Sequence, residues 1–468
     1  MKETNQSEAL GQWKQPNNIQ GQGQLPPTKP NSTTKLSYFF ARRLYSLLLW
    51  IIFPFAILRL FWKSRENPGY RARIRERMAL GLPSLKGCIL VHAVSVGETV
   101  AAVPFIEKLL EEFPSHDILI TSTTPTGSDR VKALFGGRVE HCFLPFDTNL
   151  FASRLLKKVK PSIVIIIETE IWPNLIYQCD RKNIPVLLAN ARMSERSYKG
   201  YNKVRQLTAP TLERISQIAT HAAPDLQRFL ALGAPTTKAQ VIGSIKFDLQ
   251  IPANLQDKRK ELIKSLEARL PEGQELPFIW VAASTHDGEE EQIIKAAKEL
   301  RKHVPNAVCV LVPRHIERFE TVARLLDDND VSYERFSMTR ELPDTAEVLL
   351  GDTMGELLLF YSIADTAFVG GSFAPVGGHN VLESLACNTA TIVGPHMFNF
   401  QTIHDLLMEN KAIIQVADWK QLSEQLQRLA TNDILRQKLS ERGEDVVRSN
   451  RGALDRLVSL TQRLIQRS

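Results

Sequence analysis

The sequence predicts an α/β protein with two doubly wound, parallel-sheet domains in series and one apolar helix ahead of them. Three observations carry this. Short apolar runs alternate with amphipathic helical stretches from Cys88 to about Ala430. The rhythm breaks once, at the polar helical stretch Ile251–Pro277, which contains no strand. The longest apolar run, Leu44–Trp62, precedes the first strand. Parallel strands read as continuous apolar runs because helices cover both of their faces. A length of 468 residues suits two or three domains. With 43% hydrophobic and 23% charged residues the chain is globular, which excludes global disorder, collagen and a polytopic membrane protein. The five cysteines are far apart with no CxxC pair, so a reducing compartment fits better than a disulfide scaffold or a Cys-rich zinc site.

Taken in order, residues 1–34 are rich in Gln, Asn, Pro and Gly and predict a disordered tail. Residues 35–80 form an apolar helix with a basic segment beside it. Leu44–Trp62 is broken only by Pro54 and Arg59, and fits either a single-pass anchor or a helix lying in the membrane interface; a buried core helix is the remaining reading. Between Lys35 and Arg77 there are 10 Lys/Arg against 2 Asp/Glu, a net of +8, so with a chain total of +7 the other residues sum to about −1. Charge beside apolar surface points to anionic lipid rather than nucleic acid, and it places the large C-terminal part on the cytoplasmic side. Aromatic residues do not interleave with basic ones, so nucleic-acid binding has no support.

The first domain is expected over 81–248. Its strands lie in CILVHAVS, DILITSTT, SIVIIIE and PVLLANA, with helices between them. An interdomain linker follows at 249–276. The second domain, 277–468, has strands in PFIWVAAS, AVCVLVP, AEVLLGD, TAFVGGS and ATIVGP and ends in charged helices. Two Rossmann-like domains in series put a ligand cleft between them, at the carboxyl ends of both sheets.

The loops leaving those strand ends carry the candidate residues. After the first strand come Ser95, Gly97 and Glu98. Glu98 opens a helix, where an acid complements the helix dipole; it is equally placed to act as a base. Glu168 and Glu170 follow the third strand and would point to one side of an extended chain. They could hold a metal, act as acid and base, or brace Arg192 and Lys246, which themselves read as anion ligands. In the second half, Ser284-Thr285-His286, Pro313-Arg314 and Met354-Gly355-Glu356 follow successive strands. A Gly-rich loop containing Gly377 and Gly378 then leads into Asn380-Val381-Leu382-Glu383 at a helix start, a geometry that cradles phosphate. Glu383 is placed for ribose hydroxyls, and His379 orients the loop. Neither GxGxxG nor GxxxxGK[ST] occurs in the required context, so dinucleotide hydride transfer and P-loop chemistry lack their fingerprints. The histidines form no tight ligand pattern, so no metal is expected.

Together these motifs resemble the Kdo transferases of Gram-negative bacteria, which move 3-deoxy-D-manno-octulosonic acid (Kdo) from CMP-Kdo to a lipid A precursor. The matching pieces, in order, are HAVSVGE, TPTGSDRV, ETEIWPNLI, NARMSERS, GSIKFD, STHDGEE, VPRHIERF, GDTMGEL and VGGHNVLE, and the likeness runs from about Leu44 to the C-terminus. The resemblance implies the GT-B fold, with two Rossmann-like domains facing across a cleft, donor on the C-terminal one and acceptor on the N-terminal one. It implies Glu98 as catalytic base. It implies CMP contacts at Pro313, Arg314, Met354, Gly355, Glu356, Asn380, Val381, Leu382 and Glu383. Ser95, Gly97, Arg192, Lys246, Ser284, Thr285, His286, Gly377 and Gly378 would support these. The expected reaction is inverting transfer to the 6′-hydroxyl of lipid IVA, without metal or other cofactor, at the cytoplasmic face of the inner membrane. The partners are then CMP-Kdo, the lipid A precursor and anionic inner-membrane lipid. The competing readings are a GT-B enzyme using a UDP-sugar, a sugar-nucleotide epimerase of the same fold, and a non-catalytic, membrane-tethered nucleotide sensor.

Overall fold

The structure is a computed structural model that describes residues 33–467. The expected tail falls almost wholly outside the described residues. Two compact units are present. The first comprises 1–95, 116–241 and 464–468; the second comprises 96–115 and 242–463. The helix Val96–Glu112, expected with the first domain, therefore groups with the second, in which it packs against the 3-10 turn Ile245–Phe247.

The first unit is built on seven strands: β1 (Ile89–His92), β2 (Ile118–Ser122), β3 (Glu140–Phe143), β4 (Ile163–Ile167), β5 (Val186–Ala191), β6 (Gln217–Thr220) and β7 (Ala239–Val241). All pairings are parallel, in the order β3-β2-β1-β4-β5-β6-β7. One face buries Leu90, Leu119, Val164, Ile166 and Leu188 against helices that contribute Leu155, Leu156, Ile176 and Leu212. These residues alternate along each strand, as a period of two requires.

The second unit repeats the plan with β8 (Ile279–Thr285), β9 (Val308–Pro313), β10 (Tyr333–Arg335), β11 (Val348–Leu350), β12 (Thr366–Val369), β13 (Ala390–Val393) and β14 (Ile414–Gln415). The order is β10-β11-β9-β8-β12-β13-β14, again all parallel. Trp280, Cys309, Leu311 and Phe368 fill one face, and Val281, Val310, Leu349 and Ala367 the other. The polar stretch between the domains is the helix Leu255–Glu267, whose Leu255, Leu262 and Leu266 cover the second of these faces. The Asp of GSIKFD plays a structural part. The Asp248 carboxylate accepts from the N–H groups of Gly452 (2.5 Å) and Leu454 (2.6 Å), capping the final helix Ala453–Gln466.

The apolar helix runs from Thr33 to Lys63, and Leu36–Lys63 is long and apolar enough to cross a membrane. One side of it is nevertheless seated on the rest of the first unit. Arg42 donates to Asn174 Oδ1 (3.0 Å), Tyr45 donates to Asp147 (3.0 Å), and Ser46 hydrogen-bonds Asn174. Trp50 and Phe53 pack on Phe151, and Phe53 also meets Phe146 edge-on. Leu47, Ile51, Phe55 and Leu58 face outward.

Candidate functional site

In an open parallel sheet, ligands bind beyond the carboxyl ends of the strands, where the strand order reverses. The second sheet reverses between β8 and β12, because the chain builds β9, β10 and β11 on one side of β8 and then places β12 on the other. The loops leaving β8 and β12 flank that point. They carry His286 and the segment Gly370–Glu383, and the loop leaving β9 brings Arg314 beside them.

The expected donor residues gather here through three connections. Arg314 donates its N–H to the Thr285 carbonyl (3.0 Å), tying the β9 loop to the β8 end. His286 Nε2 and His379 Nε2 are 2.7 Å apart, with nearly coplanar rings. Arg314 lies close enough to His379 and Glu383 to act on both electrostatically. Burial, aided by the positive field of Arg314, pushes His379 down to about 4, and burial moves His286 the same way. Both rings are therefore neutral near pH 7, and one presents N–H to the lone pair of the other. Glu383 is pushed up by burial, opposed by the Asn380 side-chain amide (2.9 Å) and Arg314.

Not every expected residue is free to meet a ligand. The Val381 and Leu382 side chains are fully buried in an apolar cluster with Val369 and Val393, so they can offer only backbone groups. The Thr285 hydroxyl is turned inward to Glu290 (3.1 Å), which also pairs with Arg318 (3.1 Å). Ser284 sits in the left-handed region at φ 55°, next to a break in the β8–β9 register. Met354 is exposed, Gly355 turns at φ 86°, and Glu356 lies 3.7 Å from Arg340 and 3.8 Å from Lys258. Gly377 has φ 105° and no room for a side chain, since a Cβ would stand 2.5 Å from Phe398 and Asn399.

Sequence reasoning missed Glu289. Its carboxylate is fully buried and accepts five backbone N–H groups: His286 (2.9 Å) and Gly371 (2.7 Å) on one oxygen, and Ser372 (3.0 Å), Phe373 (2.8 Å) and Ala374 (3.2 Å) on the other. The amides after β12 are thus already occupied, and any phosphate cradle must begin further along, at Gly377. The signal in the sequence was a pair of acids, Glu289 and Glu290, opening the helix after β8.

The first sheet reverses between β1 and β4. Ser95, Gly97 and Glu98 follow β1; Glu98 is half-buried in the first turn of Val96–Glu112. Glu168 and Glu170 follow β4, but the chain does not stay extended there. Glu168 has φ 61° and its N–H is bonded to the Ala189 carbonyl (3.0 Å), which breaks the alternation that would put both carboxylates on one side. Burial and the neighbouring Glu168 push Glu170 up. Arg192 is half-buried after β5, with its carbonyl accepting from the Thr169 hydroxyl, and it acts on Asp225. The Lys246 ammonium stands 4.5 Å from the Phe400 ring in the second unit.

Comparison with known proteins agrees with this architecture. The family described as 3-deoxy-D-manno-octulosonic-acid transferase (kdotransferase) matches residues 72–249, and glycosyl transferases group 1 matches 267–446. A 3-deoxy-D-manno-octulosonic acid transferase of Haemophilus influenzae is 41% identical, over 91% of this chain and 99% of its own. One of Bordetella pertussis is 32% identical, over 89% and 97%. A glycosyltransferase structure from Rickettsia africae shares the fold at 16% identity with a TM-score of 0.50, over 82% of this chain and all of its own. With two parallel-sheet, Rossmann-like units of the GT-B type and these relatives along nearly its whole length, the chain belongs to the 3-deoxy-D-manno-octulosonic acid (Kdo) transferase family of glycosyltransferase enzymes.

Proposed function

We propose that this enzyme transfers Kdo from CMP-Kdo to the 6′-hydroxyl of lipid IVA, with inversion at the anomeric carbon, in lipopolysaccharide biosynthesis. The observation that carries the reading is the gathering of Arg314, His379, Glu383 and the Gly377–Val381 backbone at the reversal point of the second sheet. A cation and backbone amides at that point suit the phosphate of a nucleotide sugar. Glu98, in the same compact unit as these loops, takes the proton of the acceptor hydroxyl. The oxygen forms its bond to the anomeric carbon from the face opposite CMP. The bond from that carbon to the phosphate oxygen breaks, and CMP leaves with the electron pair. Arg314 and the loop amides offset the charge on the departing phosphate, so the reading calls on no metal.

The helix Thr33–Lys63 supports a place at the cytoplasmic face of the inner membrane, lying in the interface rather than spanning it. Its contacts with the rest of the first unit run from Tyr38 to Phe53, which leaves only the last ten residues clear of that face. At 1.5 Å per residue those reach about 15 Å, half of the roughly 30 Å hydrocarbon core. The basic segment is divided. Arg42, Arg73 and Arg77 turn inward, to Asn174, to the His141 carbonyl and onto the Phe143 ring respectively. Arg43, Arg59, Arg65, Arg71 and Arg75 remain exposed to meet anionic lipid.

The test is the product mass after purified enzyme is incubated with CMP-Kdo and lipid IVA. The acceptor should gain one or more Kdo units, and Glu98→Ala should abolish the gain while CMP binding stays near normal. Activity of the Glu98→Ala enzyme would sink the assignment of the base. No gain from wild type, with CMP still bound, would turn the reading toward another acceptor or a nucleotide sensor.

A further inference from the structure

We propose that Glu289 is a positioning residue for the donor: a built-in anion that fills the amide nest after β12 and so fixes the segment Gly377–Glu383 on which CMP-Kdo is to lie. The proposal rests on the donor reading above.

A charge taken out of water is tolerated only when it is paired or richly hydrogen-bonded. Among the described residues Glu289 has no ion pair; five backbone N–H groups serve it instead. Four of these belong to consecutive residues, Gly371–Ala374. Such a run of N–H groups aimed at one point is an anion-binding concavity, and left empty it would be a cluster of like dipole ends facing each other. The side chain of Glu289 supplies the anion from within the chain.

The nest is coupled to the donor segment by hydrogen bonds rather than by proximity alone. The Gly371 carbonyl accepts from the Gly378 N–H (2.7 Å), and the Ser372 carbonyl accepts from the His396 N–H (3.0 Å). The Ser372 hydroxyl accepts from the Gly394 N–H (2.8 Å). Gly371 stands at φ 65°, with the His379 ring where a Cβ would be. On the same carboxylate, the His286 N–H fixes the residue whose ring meets His379. One side chain therefore sets the backbone under both histidines and the start of the Gly377–Glu383 segment. It touches neither donor nor acceptor in this arrangement, so its effect passes through the loop.

Glu289→Gln in the full-length enzyme tests this. The amide would turn an NH2 toward two or three N–H groups that now point at an oxygen, leaving them without an acceptor. The KM for CMP-Kdo should rise about tenfold or more, since stranding even one buried donor costs on the order of that factor. The KM for lipid IVA and the kcat at saturating CMP-Kdo should stay within about threefold. Glu289→Asp, which keeps the charge on a shorter arm, should fall between wild type and Gln, and it carries the same comparison if the Gln variant does not fold. An unchanged donor KM in a folded variant, or donor and acceptor KM moving together, overturns the proposal. Asn380→Ala separates the two readings. If it raises the donor KM and Glu289→Gln does not, the positioning role alone fails; if neither changes it, the donor site itself is misplaced.

Discussion

His92 gives a quantitative test of how the end of β1 is built. It is fully buried; its Nδ1 lies 2.9 Å from Thr121 Oγ1, and its ring meets Trp172 edge-on at 5.7 Å. Burial pushes the imidazole from 6.5 down to about 4, against a smaller upward pull from the Thr121 carbonyl. Between those values the unfolded chain takes a proton that the folded chain refuses. The stability contributed by the neutral ring is therefore complete above pH 6.5 and is lost as the pH falls toward 4. The difference corresponds to about 3 kcal/mol. Other groups titrate over the same range, so the measurement is a double difference. Urea unfolding of wild type and His92→Phe is followed at pH 7 and at pH 4. Phe keeps the edge-on contact with Trp172 but cannot titrate. The stability of wild type relative to the variant should fall by about 3 kcal/mol between the two pH values, about 1 M in relative midpoint. A relative stability constant to within about 0.5 kcal/mol would refute the reasoning and mean that the ring is hydrated or protonated in the folded state.

Two further variants probe the donor loop and the apolar helix. In Gly371→Ala, the new Cβ would stand 2.9 Å from the His379 ring on a residue at φ 65°; the backbone strain of about 1–2 kcal/mol and the displaced histidine should raise the KM for CMP-Kdo about tenfold, and a wild-type KM would contradict the tightness of this turn. Replacing Leu47, Ile51 and Phe55 by Ser, on the outward side of Thr33–Lys63, removes about 5 kcal/mol of buriable apolar surface without touching the side packed on the rest of the first unit; vesicle sedimentation should fall by more than about 100-fold while the thermal midpoint holds, and unchanged sedimentation would remove this surface from membrane binding.

The central strands of both sheets were legible because they are apolar on both faces. β3, β7, β10 and β14 were not, and the reason is position; β6 (QIAT), internal between β5 and β7, was missed because its apolar run is too short to mark a strand. β10 (Tyr333–Arg335) is a half-buried edge strand with two charged residues in three, and β7 and β14 are likewise edges with little burial. Edge strands carry polar groups that discourage pairing with another chain, so they lack the continuous apolar run that marks a strand. The candidate residues divide along a similar line. Arg314, His379 and Asn380 were legible because loops at strand ends expose what they carry. The left-handed Glu168 was not, since nothing local in Ile-Glu-Thr-Glu demands φ 61°; the bond from its N–H to Ala189, on the neighbouring strand β5, does. Glu289 was hidden for a related reason. Its partners after β12 lie 82 to 85 residues away, so its role is a tertiary fact written in two distant segments.

The two reversal points share a geometry but differ in chemistry, and that difference supports the substrate placement proposed above. The loops after β1 and β4 carry Glu98, Glu168 and Glu170. Glu170 is already pushed up by burial and by Glu168, so a phosphate brought to that group would meet charge of its own sign. The loops after β8, β9 and β12 carry Arg314, two neutral histidines and a run of glycine-rich backbone. The acids wholly or partly buried among them are each held: Glu289 by backbone amides, Glu290 by Arg318, and Glu383 by the Asn380 amide, so none repels a second anion as a bare carboxylate would. On the function proposed above, the phosphodiester and carboxylate of the nucleotide sugar would be stabilised at the second point, and the acceptor hydroxyl would lose its proton to Glu98 at the first. Reversing Arg314 to Glu should therefore abolish CMP binding, and no added cation at the first point should restore it.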